Sequence, residues 1–222
     1  MRIVCISDTH SMHRGLEIPP GDMLIHAGDL TLEGSWGEIM NAFRWLNKMP
    51  HEHIIFVPGN HDYGFLHPDL AGILRERFKR VTVLLDRGIT IAGKRIYGSP
   101  YQPYFNDWAF NFAPPPAGYE EAAEKWDEIP DDSEILITHG PVYGILDTTL
   151  RKQHVGCVQL KDRLKTLEGL RLYVSGHIHE AYGTTEIDRT LYVNACVCNS
   201  SYRPIQKPIV VDLDESGAHT IA

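Results

Sequence analysis

The chain reads as an α/β layered domain, on three observations. Short apolar runs rich in branched residues recur along it, helical stripes lie between several of them, and polar side chains of metal-ligating type follow five of the runs. The runs fall at 3–6, 23–25, 54–57, 81–85, 135–137, 172–174, 191–193 and 209–211. At this length and bounded by turn residues, they read as buried strands. Between them, Trp36, Ile39, Met40, Phe43 and Leu46 fall on one face of a helix for which Ser35 is the N-cap. Leu70, Ile73, Leu74 and Phe78 make a second stripe, and 119–126 and 158–167 make two more. Strands alternating with helices give layers. A hairpin over 89–97, turning near Ala92-Gly93-Lys94, and the closely spaced late runs add antiparallel pairs. The sheet is therefore expected to be mixed, or split into two.

Length sets the domain count. At ~150 residues per domain, 222 residues are read as one domain over 1–222. Area scaling gives roughly 10,000 Å² of folded surface against roughly 36,000 Å² for the extended chain, enough burial for a core without disulfides. Hydrophobic and charged fractions of 43% and 23% exclude disorder, coiled coil and collagen. The net charge of −8 makes the chain a poor binder of duplex nucleic acid, but a phosphate-bearing substrate is compatible with it if a metal supplies positive charge. No apolar run approaches the ~18 residues of a membrane span, and the run at 3–6 is too short for a signal-peptide core. The expectation is a cytoplasmic protein without membrane contact. Cys5, Cys157, Cys196 and Cys198 form no CxxC pair. Cys5 reads as a buried thiol, and Cys196-x-Cys198 as alternation along a strand rather than a soft-metal site. The stretch 98–118 is loop-like and carries Tyr101, Tyr104, Phe105, Trp108, Phe110 and Phe112. It reads either as the wall of a site or as a packed cover over the core.

The chemistry gathers after the strands. Asp8 and His10 follow the first run, and His26, Gly28 and Asp29 the second. Gly59, Asn60, His61 and Asp62 follow 54–57, His139 follows 135–137, and Gly176, His177 and His179 follow 172–174. Ligands bind beyond the carboxyl ends of strands in open α/β sheets. Two Asp, one Asn and four His, with no thiolate, suit Mn²⁺, Fe or Zn²⁺. Seven such ligands exceed one tetrahedral zinc and fit two ions sharing a bridging carboxylate, for which Asp29 is the natural choice. His61 is left over as a proton donor to a leaving oxygen, and the adjacent Asp62 is read as raising its pKa or fixing its tautomer.

The ordered set Asp8-x-His10, Gly28-Asp29, Gly59-Asn60-His61-Asp62, Thr138-His139-Gly140 and Gly176-His177-x-His179 resembles the calcineurin-like metallophosphoesterase family. The resemblance implies a four-layer α/β/β/α sandwich with two mixed sheets. It also implies one metal held by Asp8, His10, Asp29 and His179, and another by Asp29, Asn60, His139 and His177. His61 matches the family's catalytic histidine, which contacts the scissile phosphate and protonates the leaving group, while a metal-bridging hydroxide attacks phosphorus in line. Gly34-Ser35-Trp36-Gly37-Glu38, Gly98-Ser99-Pro100, Thr138-His139-Gly140-Pro141, Gly156-Cys157 and 176–183 further resemble the metallophosphoesterase-domain-containing group, which implies hydrolysis of phosphodiesters including cyclic nucleotides. Some members of that group lack the first histidine of the Gly-His-x-His block. Here His177 is present.

The remaining histidines carry blander readings. His13 is expected in a solvated loop within reach of substrate, and His26 in a hydrogen bond to a metal ligand. His51, His53, His67 and His219 are expected at the surface, and His154 in a charged surface loop over 146–159. The leading reading is thus a binuclear metal-dependent phosphoesterase acting on a small diester or nucleotide. Its alternatives are a non-catalytic interaction module on the same fold, a phosphomonoesterase or a phosphoprotein phosphatase. The first alternative is disfavoured because all seven ligands and His61 are present. An amidohydrolase-type site is remote, because the first pair is Asp-x-His and no lysine lies near a motif.

Overall fold

Strands that are apolar at consecutive positions serve two cores at once. In β1 (Arg2–Ile6), Val4 and Ile6 face one cluster while Ile3 and Cys5 face another. β2 (Met23–His26) and β3 (His53–Phe56) divide the same way, with Leu24, Ile54 and Phe56 on one side and Met23, Ile25 and Ile55 on the other. An unbroken apolar run is what a strand covered on both faces requires. The computed structural model describes residues 1–221.

Two six-stranded sheets result. The first runs β12–β11–β1–β2–β3–β4, where β4 is Val81–Val83, β11 is Ile209–Leu213 and β12 is Ala218–Ile221. The second includes β5 (Arg87–Ile91), β6 (Lys94–Ser99), β7 (Ile135–Thr138), β8 (Leu172–Ser175), β9 (Gly183–Ile187) and β10 (Thr190–Asn194), in the order β5–β6–β7–β8–β10–β9. Both are mixed: β1 to β4 run parallel, as do β6, β7, β8 and β10, with antiparallel strands at the edges. The sheets pack face to face through Ile3, Ile25 and Ile55 on one side and Ile135, Ile137 and Val174 on the other. Helices α1 (Trp36–Leu46) and α2 (Leu70–Arg77) cover the first sheet, and α3 (Ala117–Asp127) and α4 (Val158–Leu164) the second. The exposed surface is 10377 Å², close to the area that chain length alone implies.

α1 begins with a full capping box. Ser35 Oγ accepts from the Glu38 N–H, and Glu38 Oε2 accepts from the Ser35 N–H at 3.1 Å, an arrangement contributing about 1 kcal/mol. Several expectations need correction. Trp36 and Ile73 are exposed rather than in the core, because the stripes of Ile39, Met40, Phe43 and Leu46 and of Leu70, Ala71 and Leu74 already fill the sheet-facing sides. α4 ends at Leu164, short of 167. Strands β9 and β12 lie at sheet edges and carry too few apolar residues to stand out. Cys196 and Cys198 lie beyond β10, in isolated bridges, and both are buried. The loop between β6 and α3 is both wall and cover: Ala109, Phe110 and Phe112 are buried, while Phe105 and Trp108 line a pocket. Among the described residues, no helix is long and apolar enough to cross a membrane.

Candidate metal centre

The chain leaves its strands by turns that few residues adopt. Asp8, His10, Asp29 and His177 have φ of 53°, 41°, 53° and 69°. The left-handed region is uncommon for residues other than glycine, and its cost is sustained only where the surroundings hold it. Each turn swings a side chain off the strand end into the space between the sheets' carboxyl edges. Gly28 has φ 99°, and a Cβ there would fall on the His139 imidazole. A Cβ at Gly59 would fall on the Asp29 backbone and carboxylate. The glycines before Asp29 and Asn60 are thus required by close approach.

Three imidazoles are held by the same device. His139 Nδ1 lies 2.9 Å from the Ala27 carbonyl, His179 Nδ1 2.8 Å from that of Asn199, and His61 Nδ1 2.7 Å from that of Leu32. A carbonyl oxygen only accepts, so Nδ1 carries the proton and donates. In the neutral ring, Nε2 is then left with its lone pair facing inward. The His10 and His179 Nε2 atoms approach to 3.2 Å, with Asp8 Oδ1 3.3 Å from the latter. His139 Nε2 lies 2.9 Å from Asn60 Oδ1 and 3.4 Å from Asp29 Oδ1.

The carboxylates are equally fixed. Asp29 Oδ1 accepts from the His61 backbone N–H at 2.8 Å and lies 3.4 Å from His139 Nε2, while Oδ2 lies 3.9 Å from His10 Nε2, so its two oxygens point to different imidazoles. Asp8 Oδ2 accepts from Ser7 Oγ at 2.5 Å, Cys196 Sγ at 3.0 Å and the His177 N–H at 3.0 Å. Burial pushes the Asp8 carboxyl up, but the hydrogen bond and charge of His179, then His139 and His10, hold it well below the usual range. Asp29 is likewise lowered against burial, by His139 and His10. In return, Asp29 outweighs burial at His139 and Asp8 outweighs it at His179, raising each to about 9. The two ionised carboxylates therefore draw positive charge to the site, which protons on His139 and His179 supply here.

Three groups have donor atoms within 4.8 Å of one another: Asp8, His10 and His179; His10, Asp29 and His61; Asp29, His139 and His177. Asp29 belongs to two of them. This oxygen and imidazole set fits divalent ions of the Mn²⁺, Fe and Zn²⁺ class. All seven residues expected as ligands converge here.

Other residues go elsewhere. The Asp62 carboxylate does not serve the His61 ring. It accepts from the Gly59, Leu30 and Thr31 N–H groups and from Thr31 Oγ1, stitching two loops together, while Leu32 takes the tautomer-fixing role. His26 is buried and hydrogen-bonded with Thr9 Oγ1 at 3.0 Å, between two of the candidate ligands but touching neither. His13 is neither solvated nor in the pocket: it is buried, its ring 4.9 Å from that of Trp45. His51 is also buried, bonded to the Pro19 carbonyl. His154 is exposed on its loop, bonded at 2.6 Å to the buried Asp147.

The pocket over the centre, about 290 Å³, takes Trp108 from the 98–118 loop and also includes Tyr202, which sequence reasoning passed over. Trp108 lies 4.2 Å from His61 ring to ring, and Tyr202 lies 4.5 Å from His10. Tyr202 follows the run at 191–193, beyond a strand end as the motifs are, and that position is its one legible signal.

The chain matches the family model described as calcineurin-like phosphoesterase over residues 1–181. It is 42% identical over 234 residues to the human Metallophosphoesterase domain-containing protein 1, covering 96% of this chain and 71% of that one. A dimetal phosphatase from Danio rerio superposes with a TM-score of 0.59 at 9% identity, over 97% of this chain and 93% of that one. A novel archaeal phosphodiesterase superposes with 0.56 at 15% identity, over 100% and 99%. At such identities the two structures share the fold.

Burial without a hydrogen-bond partner lowers the His13 pKa to about 4, against ~6.5 unfolded. The unfolded chain therefore takes up this proton more readily. Stability from a neutral His13 is complete above pH ~6.5 and is lost as pH falls towards 4. The thermal midpoint of His13→Phe, followed from pH 7 to 5, is expected to fall less steeply than that of the wild type.

Proposed function

The chain belongs to the calcineurin-like phosphoesterase family, and on that premise we propose that it hydrolyses small phosphodiesters, cyclic nucleotides among them, with two divalent metal ions and His61 as general acid. The observation that carries this reading is the place of Asp29. It is shared by two donor groups and lies in one pocket with His61. Asp8, His10, Asp29 and His179 would hold one ion, and Asp29, Asn60, His139 and His177 the other. When bound, such ions supply Lewis acidity and neutralise phosphoryl charge. The chain's own part is orientation and proton transfer. The carbonyls of Ala27 and Asn199 aim the His139 and His179 lone pairs, and that of Leu32 aims His61 Nε2 into the pocket. Protonated there, His61 gives its Nε2 proton to the departing oxygen.

The pocket's charge supports a diester. Among the described residues, no Lys or Arg lines it, and Glu180 adds a carboxylate. A monoester dianion brings one more negative charge to a wall that offers no lysine or arginine. On protein reconstituted with Mn²⁺, kcat/KM for bis(p-nitrophenyl) phosphate is expected to exceed that for p-nitrophenyl phosphate. A clear monoester preference would overturn the assignment.

General acid catalysis matters most when the leaving group is poor. His61→Gln is expected to slow alkyl or nucleoside esters by ~10²–10⁴ and nitrophenyl esters far less, with metal content unchanged. Equal slowing of both ester types at full metal content would remove the acid role.

A further inference from the structure

We infer that Tyr202 is a substrate-contacting residue, its hydroxyl donating a hydrogen bond to a non-bridging oxygen of a monoanionic phosphodiester. The inference rests on the phosphodiesterase reading above and names a recognition element that the sequence motifs do not contain.

Placement comes first. The Tyr202 ring lies edge-on to three imidazoles of the centre, at 4.5 Å from His10, 5.7 Å from His179 and 5.9 Å from His61. It lines the same pocket as Asp29, Asn60 and His61. Among the described residues, only His10, itself a candidate ligand, also places its ring against both His61 and His179.

The backbone holds it there at some cost. Tyr202 has φ 56°, a left-handed conformation that a bulky aromatic rarely adopts. Asn199 enforces the turn: its side-chain oxygen accepts from the Ser201 and Arg203 N–H groups, and its carbonyl accepts from the Tyr202 N–H at 2.8 Å. The same carbonyl accepts from His179 Nδ1 at 2.8 Å. One peptide oxygen therefore fixes both an imidazole of the centre and the tyrosine beside it. Residues held in such conformations gather at functional sites because the surroundings over-determine them.

The chemistry follows from what the hydroxyl lacks and what the pocket lacks. Tyr202 is 39% exposed, and among the described residues its hydroxyl has no hydrogen-bond partner. Tyr63 and Tyr182, by comparison, donate theirs to the carbonyls of Asp107 and Lys207. With no Lys or Arg in the lining, a phosphoryl oxygen held by neither metal nor imidazole is left to a neutral donor. A phenol supplies one without adding the charge that would favour a dianion. Its distance from the sequence motifs explains why motif reading passes over it.

The test is Tyr202→Phe, which keeps the ring and removes only the donor. On Mn²⁺-reconstituted protein, kcat/KM for a phosphodiester is expected to fall about tenfold or more, as for a lost hydrogen bond to a charged oxygen. Metal content and thermal midpoint should stay at wild-type values. Inorganic phosphate, titrated calorimetrically into the same protein, should bind correspondingly more weakly to the variant. Wild-type values of both kcat/KM and phosphate affinity would overturn the inference and leave Tyr202 as packing. A loss of metal or of thermal stability in the variant would likewise overturn it, by making the residue structural. If the wild-type protein hydrolyses no ester, the phosphodiesterase reading fails by itself, and the phosphate titration still decides whether Tyr202 contacts a phosphoryl group.

Discussion

A backbone carbonyl holding an imidazole by Nδ1 is the contact on which the rest of the site depends. It occurs at His61, His139 and His179, and each carbonyl comes from a different part of the fold. Ala27, at the end of β2 in the first sheet, holds His139 of the second. Asn199, beyond β10, holds His179. Leu32 holds His61 and is itself fixed through its N–H by Glu38, the residue that completes the capping box of α1. The inward lone pairs are therefore set by the packing of the whole domain rather than by the motifs alone. Contacts in the other direction also join the sheets: Asp8 of the first accepts from the His177 N–H of the second.

Such a site works against stability. It buries Asp8 and Asp29 almost completely, and it requires left-handed backbone at four of the seven candidate ligands. Each strained residue costs of order 1 kcal/mol or more, and each buried carboxylate costs more unless it is paired. The imidazoles and N–H groups around the two carboxylates offset part of this. The continuous apolar packing between the sheets carries the remainder, which is why strands need apolar residues on both faces. Local violation at a functional site with compensation elsewhere is the usual pattern.

The layers were readable because branched runs and helical stripes differ in period. Length and composition implied a surface close to that observed. The seven candidate ligands were readable because strand ends are legible and five of them carry the right donors. What escaped the sequence was whatever depends on a distant partner. Asp62 sits beside His61 in the chain, but its carboxylate is drawn to the N–H groups of Leu30 and Thr31, so adjacency misled. His13 stands between Met12 and Arg14 in no periodic apolar pattern that announces burial, yet Trp45 covers it. Trp36 fits the helical stripe by spacing and is exposed, because spacing does not say where the sheet ends. Tyr202 belongs to no motif, and only the Asn199 turn brings it over His10.

The central claim is that this arrangement is preassembled for two ions sharing Asp29. Anomalous diffraction at the manganese edge, from crystals grown with Mn²⁺, tests it most directly. Two peaks roughly 3.5–4 Å apart on either side of the Asp29 carboxylate are the predicted result. A single peak at saturating Mn²⁺, or peaks away from Asp29, would contradict it.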